Sequence, residues 1–386
     1  MYDFDKVIDR RNTGSVKVDF IKENGFPEDT IPLWVADMDF ETAPEIKEAL
    51  KKTAEFGVFG YTIYQKSYFE AVHSWFQRRF DWNVEAEWML QTPGVVFALS
   101  AAVRAFTNKG DAILIQRPVY YPFSRVIEQN ERVLVNSPLV YKEGTYHMDF
   151  VDFEEKILAN QVKLFILCNP HNPVGRVWNK EELCRIGEIC RKHHVFVVAD
   201  EIHCDFIRPG HEHINFASLG ESFAQNCMVC TAPSKTFNLA GLQISNIFIP
   251  NEERRNQMKQ ELQRLGYEET GVFGITACEA AYRYGENWLK ELLEYLEGNL
   301  TYIKEFIKEK LPKISLIEPQ GTYLIWLDVS AYGYTPEQIK TRLRSEARLW
   351  LDEGEMFGEE GAQFIRINIA SPRSVIQRAM ERFLYL

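Results

Sequence analysis

No run of about eighteen apolar residues occurs anywhere in the 386-residue chain, so no segment is built to cross a bilayer as a helix. Positive charge is in deficit as well: 44 lysines and arginines against 55 aspartates and glutamates leave a formal net charge of −11. Nucleic acids and anionic membranes both reward a basic face, and neither is expected as a partner. The opening MYDFDKVIDRRNTG carries charges where a secretion signal needs an apolar centre, and a cytoplasmic location is expected. Cysteines form no framework either. Seven of them, at 168, 184, 190, 204, 227, 230 and 278, are scattered through apolar segments, which suits reduced thiols. Cys227 and Cys230 make a C-x-x-C, but inside a run that reads as a buried strand and without a second pair to complete a zinc site. His211 and His213 flank Glu212 in what reads as a solvated loop with no third ligand nearby. No metal site is expected.

What is present is the composition of a soluble globular protein, with 46% hydrophobic and 26% charged residues. At this length about three quarters of the unfolded surface can be buried, so the core needs no staples. Residues 1–44 read as irregular, broken by Pro27, Pro32 and Pro44. Short apolar runs then alternate with helical patterns. Helices are expected at 66–80, 96–106 and 180–193, and strands at 112–116, 134–136, 163–167, 195–199, 228–231 and 244–249. Such runs, bounded by helices, predict an α/β unit whose largely parallel sheet is covered on both faces. The pattern changes after Tyr284. One long amphipathic helix, 286–311, is stopped by Pro312, and strands at 315–317, 323–328 and 364–369 with helices at 336–346 and 373–385 predict a smaller α+β unit. The expected division is a large domain over 45–285 and a small domain from 1–44 and 286–386.

Chemistry gathers just past the strand ends, where ligands of open α/β sheets bind. In CMVCTAPSKTFNLAGLQISNIF a strand runs into a turn and then Lys235, hemmed in by Phe237 and Leu239. Desolvation there lowers a lysine pKa and frees the amine to condense with a carbonyl. After KLFILC, the turn NPHNPVG presents Asn172 as a fixed donor, and after VFVVA comes DEIHCDF, with Asp200 at a buried strand end and His203 three residues on. In QTPGVVFALSAAV, Gly94 with the free amides of Val95 and Val96 opens a helix, a natural anion cradle. RPVYYPF offers the flat rings of Tyr120 and Tyr121. Taken singly, each reads as well as a plain turn, a cap or a core ring. Together they supply what a phosphorylated aromatic aldehyde requires. Pyridoxal phosphate needs a lysine to join its aldehyde and an acid to face its ring nitrogen.

The ordered set TPG, PVYYP, NPHNPVG, ADEIH, SKTFNLAG and IRIN resembles the fold-type I pyridoxal-phosphate enzymes, the aspartate aminotransferase superfamily. With VADMDF and FGYT at 59–62, it resembles more narrowly the MalY/PatB-like cystathionine β-lyase (cysteine C–S lyase) branch, over nearly the whole chain. The resemblance implies a mostly parallel, seven-stranded type of sheet between helices. It implies that Lys235 carries pyridoxal 5′-phosphate, that Asp200 holds the ring nitrogen protonated, that Asn172 bonds the phenolic oxygen and that Tyr120 stacks on the ring. The Val95 and Val96 amides, Ser234 and Thr231 would hold the phosphate. Tyr61 would reach the phosphate of a neighbouring subunit, making a homodimer with shared sites. Arg366 would grip the substrate carboxylate, with Tyr121 and Tyr64 beside the substrate. Two positions depart from the superfamily pattern: Gln243 replaces the usual phosphate-binding arginine, and His203 stands where many relatives carry tyrosine. The reaction implied is α,β-elimination from cystathionine or related cysteine S-conjugates, giving pyruvate, ammonia and a thiol. An aminotransferase would use the same residues, and a cofactor-binding regulatory protein with residual lyase activity is the reading from a different class.

Overall fold

The computed structural model describes residues 2–386; residue 1 of the expected 1–44 segment lies outside them. Seven strands form the main sheet: β1 Met89–Thr92, β2 Ala112–Ile115, β3 Val133–Asn136, β4 Leu164–Cys168, β5 Phe196–Asp200, β6 Cys227–Thr231 and β7 Ser245–Phe248. Their spatial order is β1-β7-β6-β5-β4-β2-β3. Pairings β3–β2–β4–β5–β6 are parallel, whereas β7 runs antiparallel to both β6 and β1. The six remaining strands therefore share one direction, and the expectation of a largely parallel sheet holds with β7 as its exception.

All five residues of β4, β5 and β6 are buried. Each fully buried valine, leucine or isoleucine contributes about 1.5–3 kcal/mol, so these central strands anchor whatever stands at their ends. The helix Val95–Phe106 packs on the sheet through Ala98, Leu99, Ala101, Ala102 and Val103, and its three alanines let it approach closely. The helix Lys180–Lys192 begins with a full capping box between Asn179 and Glu182. Asp200 proves to be the last residue of β5, in register with Cys168 and Cys230, whereas the apolar pattern ends the strand at Ala199.

A second sheet of four antiparallel strands has the order β8-β9-β11-β10, with β8 Ser315–Ile317, β9 Leu324–Asp328, β10 Asp352–Glu353 and β11 Phe364–Asn368. The long helix Glu286–Lys310 precedes it, and the last helix ends at Arg382 with a 3₁₀ turn completing the expected 373–385. The N-terminal segment lies against this region: Ile31–Pro32 pairs in parallel with Leu349–Trp350, and the Asn368 side chain donates to the carbonyls of Val35 and Asp37. Asn238, from the other side, donates to the carbonyls of Met38 and Phe40. Residues 35–40 are thus held between the ends of the two sheets. No helix among the described residues is long and apolar enough to cross a membrane.

Candidate active site

The shared edge at the carboxyl ends of β1, β2, β4, β5 and β6 opens on a cavity of about 250 Å³. Each of these strands delivers one of the expected groups to it: Gly94 with Val95 and Val96, Tyr120, Asn172, Asp200 with His203, and Ser234 with Lys235. A larger crevice of about 850 Å³ lies between the helix Glu286–Lys310 and the loop 206–211, and its lining contains neither Lys235 nor Asp200.

Lys235 sits in the short helix Pro233–Thr236. Its Nζ donates to the Ala36 carbonyl at 2.7 Å, and the Tyr323 hydroxyl donates to the same oxygen at 3.0 Å. Burial pushes the lysine pKa down to about 8; the charge of Arg366 pushes the same way, and Asp37 and Asp200 oppose it. Asp200 receives a hydrogen bond from the Ile202 amide at 3.1 Å. Burial raises its carboxyl to about 7. An acid that deeply buried wants a cationic group against it. His203 is held neutral, its pKa well below the usual imidazole range, by burial and by the charges of Lys235 and Arg366. Its Nδ1 is buried without a hydrogen-bond partner. Burial also pushes the Tyr120 hydroxyl well up, so this ring stays neutral.

Gly94, which also lines the cavity, has φ 154° and ψ 159°, a backbone region reserved for glycine. The turn it makes starts a twelve-residue helix with no side-chain cap. The first intrahelical bond is from the Ala98 amide to the Gly94 carbonyl, which leaves the amides of Val95, Val96 and Phe97 without helical acceptors. Nothing lies within 4 Å of the point where a Gly94 side chain would project, so the approach to these amides is open.

Arg366 projects from β11, and its side chain is buried. Its guanidinium donates to Asn172 Oδ1 at 3.0 Å and to the Trp34 carbonyl at 2.8 Å, and it is paired with Asp352 across the β10–β11 register. It also lies 4.9 Å over the Phe357 ring, against which Tyr121 packs edge-on at 6.2 Å. Tyr121 thereby stands near Arg366 although it does not line the cavity.

Three expected residues are placed elsewhere. Thr231 is buried at the end of β6, and its hydroxyl donates to the Asn246 carbonyl at 3.0 Å, inside the β6–β7 ladder. Tyr64 lines a different crevice, with Gln91 and Tyr267, and packs on Tyr68. Tyr61 is 97% exposed. One loop expectation is corrected. His211 and Glu212 are exposed, but His213 is buried, because fully buried Glu201 takes hydrogen bonds from its ring, from the Asn215 side chain and from the Phe216 amide. Among the described residues, no cluster of His, Cys, Asp and Glu suited to a metal occurs. The sequence reading missed Ala36, Tyr323 and Asp352. VADMDF contains the first as a motif already noticed, but nothing local marks the other two.

The donor set fits a phosphorylated pyridine aldehyde. A buried amine of lowered pKa and a buried acid in need of a cation line one cavity, and the residues of three helix amides without helical acceptors line it too. Gln243 also lines it, so no arginine stands there to neutralise a phosphate.

The comparisons agree with this geometry. Residues 28–383 match the family model "Aminotransferase class I and II". Among curated relatives, the chain is 44% identical to the cystathionine β-lyase PatB of Bacillus subtilis over 98% of both chains. It is 31% identical to protein MalY of Escherichia coli, over 98% of this chain and 97% of that one. Among solved structures, cystalysin of Treponema denticola, which contains a pyridoxal 5′-phosphate cofactor, superimposes with a TM-score of 0.96 at 38% identity, covering 100% of this chain and 98% of the other. A pyridoxal-phosphate-bound C–S lyase of Staphylococcus hominis gives 0.93 at 33% identity, with the same coverage.

Proposed function

The chain belongs to the aminotransferase class I and II family, and on that premise we propose that it is a pyridoxal-phosphate-dependent C–S β-lyase. It cleaves cystathionine or related cysteine S-conjugates, with water, to pyruvate, ammonia and a thiol. The observation that carries the reading is the meeting of Lys235 and Asp200 in one cavity, each with its pKa moved toward neutrality by burial. Similarity to cystathionine β-lyases over the whole chain selects elimination over amino transfer.

When bound, the cofactor supplies an aldehyde for amines to join and an electron-withdrawing ring that stabilises negative charge at the substrate Cα. Lys235 would anchor it through its buried amine, and as a free amine would be the base nearest the substrate Cα proton. Such positioned proton transfer contributes about 10²–10⁴ in rate. Asp200 would hold the ring nitrogen protonated. The Val95 and Val96 amides and the Ser234 hydroxyl would receive the phosphate, and Tyr120 would cover the ring. Asn172 and neutral His203 would bind the phenolic oxygen. Arg366, preset by Asp352, presents a planar fork to the α-carboxylate, and Tyr121 borders the leaving group.

The lysine pKa sets a pH dependence for loading. Only the neutral amine attacks the aldehyde, and burial lowers the midpoint from 10.5 to about 8. The rate at which cofactor-free protein takes up added pyridoxal phosphate, followed by absorbance, is expected to rise with pH and level off above about 8. A rate that still climbs toward pH 10 would mean a solvated lysine.

The proposal extends to assembly. Phe56, Val58, Phe59, Tyr61 and Ile63 are all more than half exposed, and a contiguous apolar stretch of that kind asks for a partner surface. A second copy of the chain would cover it, with Tyr61 reaching the partner's phosphate site in place of the missing arginine. Residues 45–285 would act as the large domain, and 1–44 with 286–386 as the small one, in a cytoplasmic enzyme that binds neither membrane nor nucleic acid.

The deciding assay supplies cystathionine and no keto acid. Steady release of pyruvate and free thiol over many turnovers is expected. Product only when a keto acid is added would make the protein an aminotransferase, and no product beyond one equivalent would favour the regulatory reading.

A further inference from the structure

The motif DEIHCDF holds three acids, and besides Asp200 and the Glu201 that binds His213 and Asn215 it has Asp205, which the proposed chemistry leaves unused. Asp205 is 3% exposed, and its carboxylate joins two other parts of the chain. Oδ2 accepts from the Thr236 hydroxyl at 2.7 Å, and Oδ1 accepts from Arg79 Nε at 2.8 Å. Thr236 is itself buried and directly follows Lys235. We propose that Asp205 and Thr236 are positioning residues that lock the lysine-bearing helix to the loop that carries His203 and leaves β5 at Asp200. The inference rests on the reading of the site as a pyridoxal-phosphate centre.

The sheet alone does not fix that distance. Its ladder between β5 and β6 ends at the pair Asp200 and Cys230, with one further bond from the Glu201 amide to the Cys230 carbonyl at 2.9 Å. Past this point the two chains diverge, one into the loop and one into the helix Pro233–Thr236. The Asp205–Thr236 bond is the side-chain link that rejoins them. The loop between is tight, since the Cys204 amide donates to Glu201 and the Phe206 amide to His203, both at 3.0 Å, so a shift of Asp205 is passed to His203.

The link draws strength from the ion pair beside it, because hydrogen bonds to a charged acceptor are shorter and tighter than neutral ones. Arg79 makes that pair from the helix Lys66–Phe80, its guanidinium lying 5.0 Å over the Trp75 ring. Lys235 and Asp200 act on opposite ends of one rigid ring, the aldehyde carbon and the nitrogen. Their separation must match the ring, and an error near 1 Å in such a placement costs about 10²-fold in rate.

The test is made on the cofactor-loaded enzyme. Thr236→Val removes the hydroxyl and keeps the volume; Thr236→Ser keeps the hydroxyl. The valine variant is expected to lose about 10² in kcat with KM little changed. The visible circular dichroism of the bound cofactor, which reports ring orientation, should change with it. The serine variant is expected to restore most of both. Wild-type kcat and dichroism in the valine variant would overturn the proposal, as would equal losses in the valine and serine variants, which would make the methyl packing the cause. Should the valine variant not fold, Asp205→Asn keeps an acceptor for Thr236 but removes the charge. It is expected to show the same dichroic change with a smaller rate loss, and wild-type behaviour there would overturn the proposal too. A wild-type enzyme that shows no visible cofactor band fails the cofactor reading itself; a normal band with unmoved variants fails this inference alone.

Discussion

Replacing Lys235 with alanine is expected to abolish the covalent link to the cofactor and to lower steady-state pyruvate release by more than about 10⁴-fold, since anchor and base are lost together. The wild-type lysine donates to the Ala36 carbonyl at 2.7 Å, inside a pocket whose burial keeps much of it neutral near pH 8. No other lysine lines the cavity, so none is placed to substitute. The variant should still bind pyridoxal phosphate reversibly through the helix amides and Asp200, but borohydride should no longer fix the cofactor covalently to the protein. Cofactor that stays on the denatured variant after borohydride treatment would mean that another amine does the work.

Asp200→Asn gives the second large effect, and it separates function from stability. Removing a preorganised charge from an active site costs about 10²–10³ in rate, and here the loss falls on the proton held at the ring nitrogen. Stability moves the opposite way. In the cofactor-free fold the Asp200 pKa is raised from 3.8 to about 7, so between those values the folded state binds the extra proton and the unfolded state does not. Stability therefore falls as pH rises through that window. The asparagine cannot ionise and escapes that loss. Expected at pH 7 is a cofactor-free variant that melts above cofactor-free wild type, while the loaded variant turns over far more slowly. The melting difference should vanish near pH 4. A variant that melts below wild type at pH 7, or one that retains full turnover, would show that Asp200 is not the unpaired acid described.

Much of this site was legible because its groups stand at strand ends, where an apolar run stops and a glycine, proline or polar residue follows. Lys235, Asn172, Gly94 and Tyr120 all announce themselves in that way. The same rule misplaced the end of β5, since a charged residue closing an apolar run looks like loop, and Asp200 is in fact the last paired residue. Strand direction left no trace, because side chains alternate alike in either sense, and β7 was therefore not distinguishable as antiparallel. Pairings set by tertiary register were also hidden. Nothing near Asp352 in sequence tells that it faces Arg366, and HEH looks solvated until Glu201 is seen to need partners underneath. Thr231 shows the opposite error, a hydroxyl beside the right motif whose hydrogen bond is already committed to the ladder. Tyr61, 97% exposed, meets no surface within the one chain, and the second copy proposed to cover it lies outside that chain's fold.

The most direct test is to reduce the loaded wild-type enzyme with borohydride, digest it and locate the cofactor by mass spectrometry. The added mass is expected on the peptide containing Lys235 and on that residue alone. The same mass on any other lysine, with Lys235 unmodified, would contradict the buried amine as the seat of the chemistry.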